Sequence, residues 1–137
     1  MRVMLDTDTC IFAMEEAPGF KPKIRLRDCG ISMVVLGELE TGVRRSVKVK
    51  ENRAALDHWL AAVQVLDVDA EVARRYGQLR ADLEDNGKLI GPNDLWIAAH
   101  ALSFDMPLIS NNLSEFRRVP GLSVETWMSD EGGVNAQ

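Results

Sequence analysis

Histidine, cysteine and tyrosine are scarce in this 137-residue chain, which holds two, two and one of them. Cys10 and Cys29 are too few for a disulfide scaffold and have no zinc-site spacing with the histidines, so structural zinc is not expected and a reduced cytoplasm is the expected compartment. No apolar run approaches the roughly 18–20 residues that span a bilayer, and Asp6 interrupts the opening residues too early for a signal peptide. No membrane association is expected. Neither Gly-rich nucleotide fingerprint occurs, and the motif around a serine nucleophile is missing as well. Positive charge is also short, since 21 Asp and Glu stand against 16 Lys and Arg for a net charge of −5. That excludes coating nucleic acid through bulk charge, but not handling it through a metal, whose charge a side-chain count omits.

What remains is an ordinary globular composition, with 46% apolar and 27% charged residues, enough to bury one core. The length suits one domain, expected over residues 1–128, with a polar, flexible tail over 129–137 that contains Gly132-Gly133. Short apolar runs alternate with helical patterns, the signature of an α/β fold with a mainly parallel sheet. Strands are expected at residues 3–5, 31–33, 63–68, 107–110 and 122–126. Leu56, Trp59, Leu60 and Val63 recur at helical spacing, as do Val72, Tyr76, Leu79 and Leu83. A further helix carries Leu95, Ala98, Ala99 and Leu102, with Pro92 and Asn93 as start signals, after a break at Asp85-Asn86-Gly87.

Acidic residues fall where such a fold gathers ligands. Asp6 and Asp8 follow the first strand, at the carboxyl edge where parallel sheets bind, although an Asp there also caps the next helix. Glu38 lies in the apolar stretch Val34-Val35-Leu36-Gly37-Glu38-Leu39, on the inward side of a helix that turns Glu40 to solvent. A carboxylate bedded there needs a cation or a partner such as Arg44 or Arg45. Asp94 opens the late helix, where it suits the helix dipole, although Asn93 could cap alone. Glu115 follows the fourth strand in a polar loop with Ser110 and Asn112. Carboxylates crowded on one edge repel unless something positive sits among them. Mg²⁺, or Mn²⁺, suits hard oxygen donors, and the chemistry implied is phosphodiester hydrolysis.

These residues resemble a family. Leu5-Asp6-Thr7-Asp8 with Ile11, Ile31-Ser32 with Glu38-Leu39 and Gly42, and Gly91-Pro92-Asn93-Asp94-Leu95-Trp96-Ile97-Ala98-Ala99 are similar to VapC-type toxins of the PIN-domain family. Ile109-Ser110-Asn111-Asn112, Glu115-Phe116, Arg118-Val119 and Trp127 extend the likeness to about residue 127. The resemblance implies an α/β/α sandwich around a parallel five-stranded sheet of order 3-2-1-4-5. It also implies a Mg²⁺-dependent endoribonuclease toxin acting on RNA, with a tRNA the expected substrate. A homodimer is implied, restrained by a VapB-type antitoxin and reaching operator DNA only through it. Asp6, Glu38 and Asp94 match the family's metal-site acids. Glu115 is the candidate fourth catalytic acid, since Asn112 stands where many members carry Asp, and Ser110 and Asp8 are supporting positions. Asp8 departs from the Asn usual in the subgroup.

A basic run, Arg44, Arg45, Lys48, Lys50 and Arg53, reads either as a solvated helix edge or as an RNA-guiding rim, with Arg117 and Arg118 as further contributors. His100, the cysteines and Trp59, Trp96, Trp127 and Phe12 read as packing residues, and His58 as exposed. Apolar surface around the first helices would suit an antitoxin helix. Two competing readings stand beside the toxin. One is a haloacid-dehalogenase-like phosphatase, with Asp6 as nucleophile and Asp8 as general acid. The other is a PIN-like binding module without activity.

Overall fold

A computed structural model describes residues 1–129. In chain order the elements are β1 (Val3–Leu5), α1 (Thr7–Glu15), β2 (Cys29–Ser32), α2 (Met33–Arg44), α3 (Val49–Leu60), β3 (Gln64–Leu66), α4 (Ala70–Asp85), α5 (Pro92–Ser103), β4 (Leu108–Ile109), α6 (Leu113–Phe116) and β5 (Val124–Glu125). All strand pairs are parallel, in the order β3-β2-β1-β4-β5, with Val3 beside Cys29 and Met4 beside Leu108. Every residue of β1, β2 and β4 is buried. Consecutive strand residues face opposite sides, so helices cover both faces and an α/β/α sandwich results. The strand order reverses between β1 and β4, and that crevice is where this architecture places ligands.

β1 spans the expected residues, β2 is shifted to an earlier start at Cys29, and β3, β4 and β5 are shorter than the sequence pattern suggests, for local reasons. β2 stops at Ser32 because the Ser32 hydroxyl accepts from the Val34 N–H at 3.1 Å and starts α2, which takes Met33 out of the expected strand. α3 ends at Leu60, so Val63 belongs to neither the helix repeat nor the strand, though it is buried. Pro107 has no N–H to give β4, yet its carbonyl accepts from Met4 at 3.0 Å. α4 ends at the expected break, where Gly87 takes a positive φ of 67°. Asn93 is not the cap of α5. Gly91 holds the cap position and Pro92 the first helical one, which leaves Asn93 inside the first turn with its amide free for another partner. The stretch around Glu115, expected as loop, forms the short helix α6.

Met4, Leu5, Ile31, Leu108 and Ile109 from the sheet meet Val35, Leu56, Leu95, Ile97 and Phe116 from the helices in one core. Outside it, Tyr76 on α4 stacks on Trp96 of α5, with centroids 3.8 Å apart. Cys10 and Cys29 are free, buried thiols, and His58 is exposed as expected. The Ser129 N–H donates to the Gly19 carbonyl at 2.7 Å, which ties down the first residue of the expected tail. The remainder, 130–137, lies outside the described residues. No helix among the described residues is long and apolar enough to cross a membrane.

Phe116 is fully buried and is the anchor that seats α6, so it couples the core to the neighbouring Glu115. Phe116→Ala is expected to lower unfolding free energy by about 3–5 kcal/mol, the usual cost of emptying a core aromatic site. Urea denaturation measures it, and a loss below about 1 kcal/mol would contradict the packing described.

Candidate active site

Near the carboxyl edge of β1 and β4, Asp94 interacts with three other carboxylates, Glu115, Glu38 and Asp6. Asp6 leaves β1 as the N-cap of α1, and its Oδ1 accepts from the Thr9 N–H at 3.0 Å. The capping role and the site role therefore coexist in one side chain. Its backbone N–H donates to Ile109 at 3.1 Å, and the Thr9 hydroxyl donates to the same carbonyl at 3.0 Å, so β4 fixes this corner. Asp6 is almost wholly buried, and that burial raises its pKa against hydrogen bonds from Ser110 and Thr9, while the neighbouring Asp8 charge adds to the rise.

Asp94 sits in the first turn of α5, and its carboxyl is pushed up to about 8. Burial is the largest cause, followed by a hydrogen bond to Glu115 and then the charges of Glu115, Glu38 and Asp6. A hydrogen bond between two carboxyl groups requires a proton on one of them, which fits the raised pKa of Asp94. Glu115 keeps a second oxygen, Oε1, buried and without a hydrogen-bond partner.

Glu38, half-buried on α2, is held from two sides. The Thr7 hydroxyl donates to its Oε1, and the Asn93 amide donates to its Oε2 at 3.2 Å. Arg44 and Arg45 lie exposed near the end of α2, and the contacts of Glu38 run instead to α1 and α5. Ser110 is buried, and its hydroxyl joins the Asp6 carboxylate to the Asn112 N–H, which it accepts at 2.9 Å. Asn112 takes part through its backbone, and its side chain is exposed. Asp8 is exposed on the first turn of α1, where it acts on Asp6 through its charge.

The donor set is hard oxygen, with Asp94 made harder to ionise by Glu115, Glu38 and Asp6, and such donors suit a divalent cation of the Mg²⁺ kind. As the side chains stand, no three of the described His, Cys, Asp and Glu residues form a ready metal cage. The hydrogen bond between Asp94 and Glu115 and the donors on Glu38 offset part of the repulsion among these acids.

Sequence reasoning did not find Thr7 or Asn93 as partners of Glu38. A hydroxyl in a first helical turn and an Asn after Pro look like capping chemistry, and the signal available was only their adjacency to Asp6 and Asp94. His100 is fully buried, with Nδ1 2.8 Å from the Ser32 hydroxyl and Nε2 unpartnered, and burial lowers its pKa. It thus ties α5 to the start of α2.

The basic run divides. Arg44, Arg45, Lys48 and Lys50 are exposed, with Lys48 only 4.0 Å from Glu51. Arg53 is spent within the fold. It donates to both oxygens of Glu40 at 2.6 and 2.8 Å and lies 3.3 Å from Asp57, locking α3 to α2. Glu40 stays on the solvent side as expected and there pairs with Arg53. Arg118 donates to the Leu89 carbonyl at 3.2 Å, and Arg117 is exposed. Beside Glu38, a cavity of about 370 Å³ opens between α1, α2 and α3, lined by Ile11, Met14, Leu39, Val43 and Leu56.

The PIN domain family model matches residues 3–122. Ribonuclease VapC2 of Rickettsia felis is 39% identical over 132 residues, covering 93% of this chain and 98% of that protein. The tRNA(fMet)-specific endonuclease VapC of Salmonella typhimurium is 38% identical over 131 residues, with the same coverage. Among solved structures, DNA-bound VapBC from Salmonella typhimurium superposes with a TM-score of 0.84 at 36% identity, covering 93% of this chain and 98% of that one. VapBC2 from Rickettsia felis, bound to a promoter DNA fragment, gives 0.81 at 34% identity, covering 93% and 99%. With the sheet order and the acidic corner already in place, these matches settle the family: the chain belongs to the PIN-domain proteins and, within them, to the VapC-type ribonuclease toxins.

Proposed function

We propose that this chain is a metal-dependent endoribonuclease toxin, using Mg²⁺ or Mn²⁺ to hydrolyse phosphodiester bonds in RNA, with a tRNA as substrate. The observation that carries the reading is the convergence of Asp6, Glu38, Asp94 and Glu115, with the Asp94 carboxyl still protonated near neutral pH. Asp6, Glu38 and Asp94 would hold the cation. When bound, it supplies Lewis acidity at the phosphate and lowers the pKa of water. Ser110 orients Asp6 from β4, and Glu115, with Oε1 lacking any donor, offers an acceptor for a water proton. The phosphatase reading has little left, because the family is PIN and the general acid it needs, Asp8, lies out on the exposed turn of α1.

The related VapBC structures bound to DNA support a VapB-type antitoxin as partner here. On this reading DNA is reached through that antitoxin, and the toxin is a homodimer. The cavity beside Glu38 gives the antitoxin apolar footing next to the acids. The setting is the cytoplasm.

Asp6→Asn and Asp94→Asn are each expected to slow cleavage of total cellular RNA in Mg²⁺ by about 100-fold or more, since each removes a charged oxygen donor from the cation, a larger loss than removing a partner of such a donor. Gel analysis of the fragments checks this, and metal-dependent fragments persisting undiminished in both variants would refute the site. Replacing Arg44, Arg45, Lys48 and Lys50 together with Gln is expected to weaken RNA binding and to flatten its salt dependence, by about 0.7 in log–log slope for each phosphate no longer neutralised. Unchanged affinity and slope in fluorescence anisotropy would rule out the rim.

A further inference from the structure

Thr7 directly follows Asp6 in the chain, and Asn93 directly precedes Asp94. Both side chains turn away from their acidic neighbours to donate to Glu38, one to each oxygen. The residues beside two of the acids therefore grip the third, and the grip joins α1, α2 and α5, three elements that meet at the site from different stretches of the chain. Neither side chain has another role that explains its placement. The cap of α1 is Asp6 and the cap position of α5 is Gly91, so neither Thr7 nor Asn93 caps its helix.

We infer that Thr7 and Asn93 are positioning residues that clamp the Glu38 carboxylate and preset its orientation toward the cation. Glu38 reaches the site from α2 on a side chain of a long, flexible type, close to the charge of Asp94. Repulsion would turn such a carboxylate outward. Two donors on its two oxygens fix both its position and the plane of the group, as partners of metal-binding carboxylates do elsewhere. The inference rests on the metal reading, and its test separates the two.

Mn²⁺ binding to the full chain is measured by calorimetry for wild type, Thr7→Val, Thr7→Ser and Asn93→Ala. Thr7→Val keeps the shape and removes the donor, and it is expected to weaken Mn²⁺ about 10-fold or more, the usual cost of losing such a partner. Thr7→Ser restores the hydroxyl and is expected to bind within about 3-fold of wild type. Asn93→Ala, at an exposed position, is expected to weaken Mn²⁺ similarly while still unfolding in one cooperative thermal transition. Wild-type affinity in both Thr7→Val and Asn93→Ala, or no rescue by Thr7→Ser, overturns the clamp. A metal-free double-mutant cycle of Thr7→Val with Glu38→Gln on thermal unfolding decides independently. Non-additive shifts support the clamp even if wild type binds no Mn²⁺, an outcome that would sink the metal reading alone, whereas additive shifts overturn the clamp.

Discussion

Like-charged carboxylates do not gather at a partly buried corner of a protein without a cost, and the arrangement around this corner can be read as the set of contacts that offset it. Asp6 is covered by the core and held by Ser110 and Thr9. Asp94, its pKa raised, is hydrogen-bonded to Glu115, and Glu38 is gripped by Thr7 and Asn93. These partners come from several different elements, so the repulsion is carried by the fold as a whole. Marginal stability makes such an arrangement expensive to keep, which is why crowded acids with perturbed protonation mark functional sites more often than structural ones.

The sheet makes the crowding possible. β1 is central, and the reversal of strand order beside β4 opens a crevice at the carboxyl ends. β1 delivers Asp6 and β4 delivers Ser110, while the starts of α1 and α5 bring Thr7, Asn93 and Asp94. Helix N-termini face that edge, and their partial positive charge favours acids in first turns. Phe116 then pins α6 so that Glu115 meets Asp94. On the flank, Arg53 closes α3 on α2 through Glu40, shaping the cavity that reaches Glu38.

Much of this was legible in the sequence because the signals were local. Asp6 ends an apolar run, Glu38 sits in a helical apolar stretch, and Asp94 follows Pro92 at a helix start, so position alone suggested a shared edge. What escaped depended on distant partners or on short elements. Helix α6 is four residues long, too short for any periodicity to register. Arg53 looked like one more cation in a basic run, and only the folded chain shows that Glu40, thirteen residues earlier, already claims it. Asn93 looked like a cap because Asn commonly is one, yet Gly91-Pro92 set the helix start two residues sooner. The donors on Glu38 join positions 31 and 55 residues apart, which no local pattern encodes.

If the acidic corner is a metal site, a divalent cation must replace the proton held between Asp94 and Glu115. The Asp94 carboxyl, raised to about 8, is protonated at a pH of about 6.5 and largely ionised at a pH of about 9.5. Binding of a cation at the lower pH must therefore expel a proton, and at the higher pH little remains to expel. Calorimetric titration with Mg²⁺, in pairs of buffers that differ in ionisation enthalpy, counts those protons directly. Release of about one proton per cation at the lower pH, falling toward none at the higher, is the predicted result. Binding without proton release at the lower pH, or no binding at either pH, would contradict it.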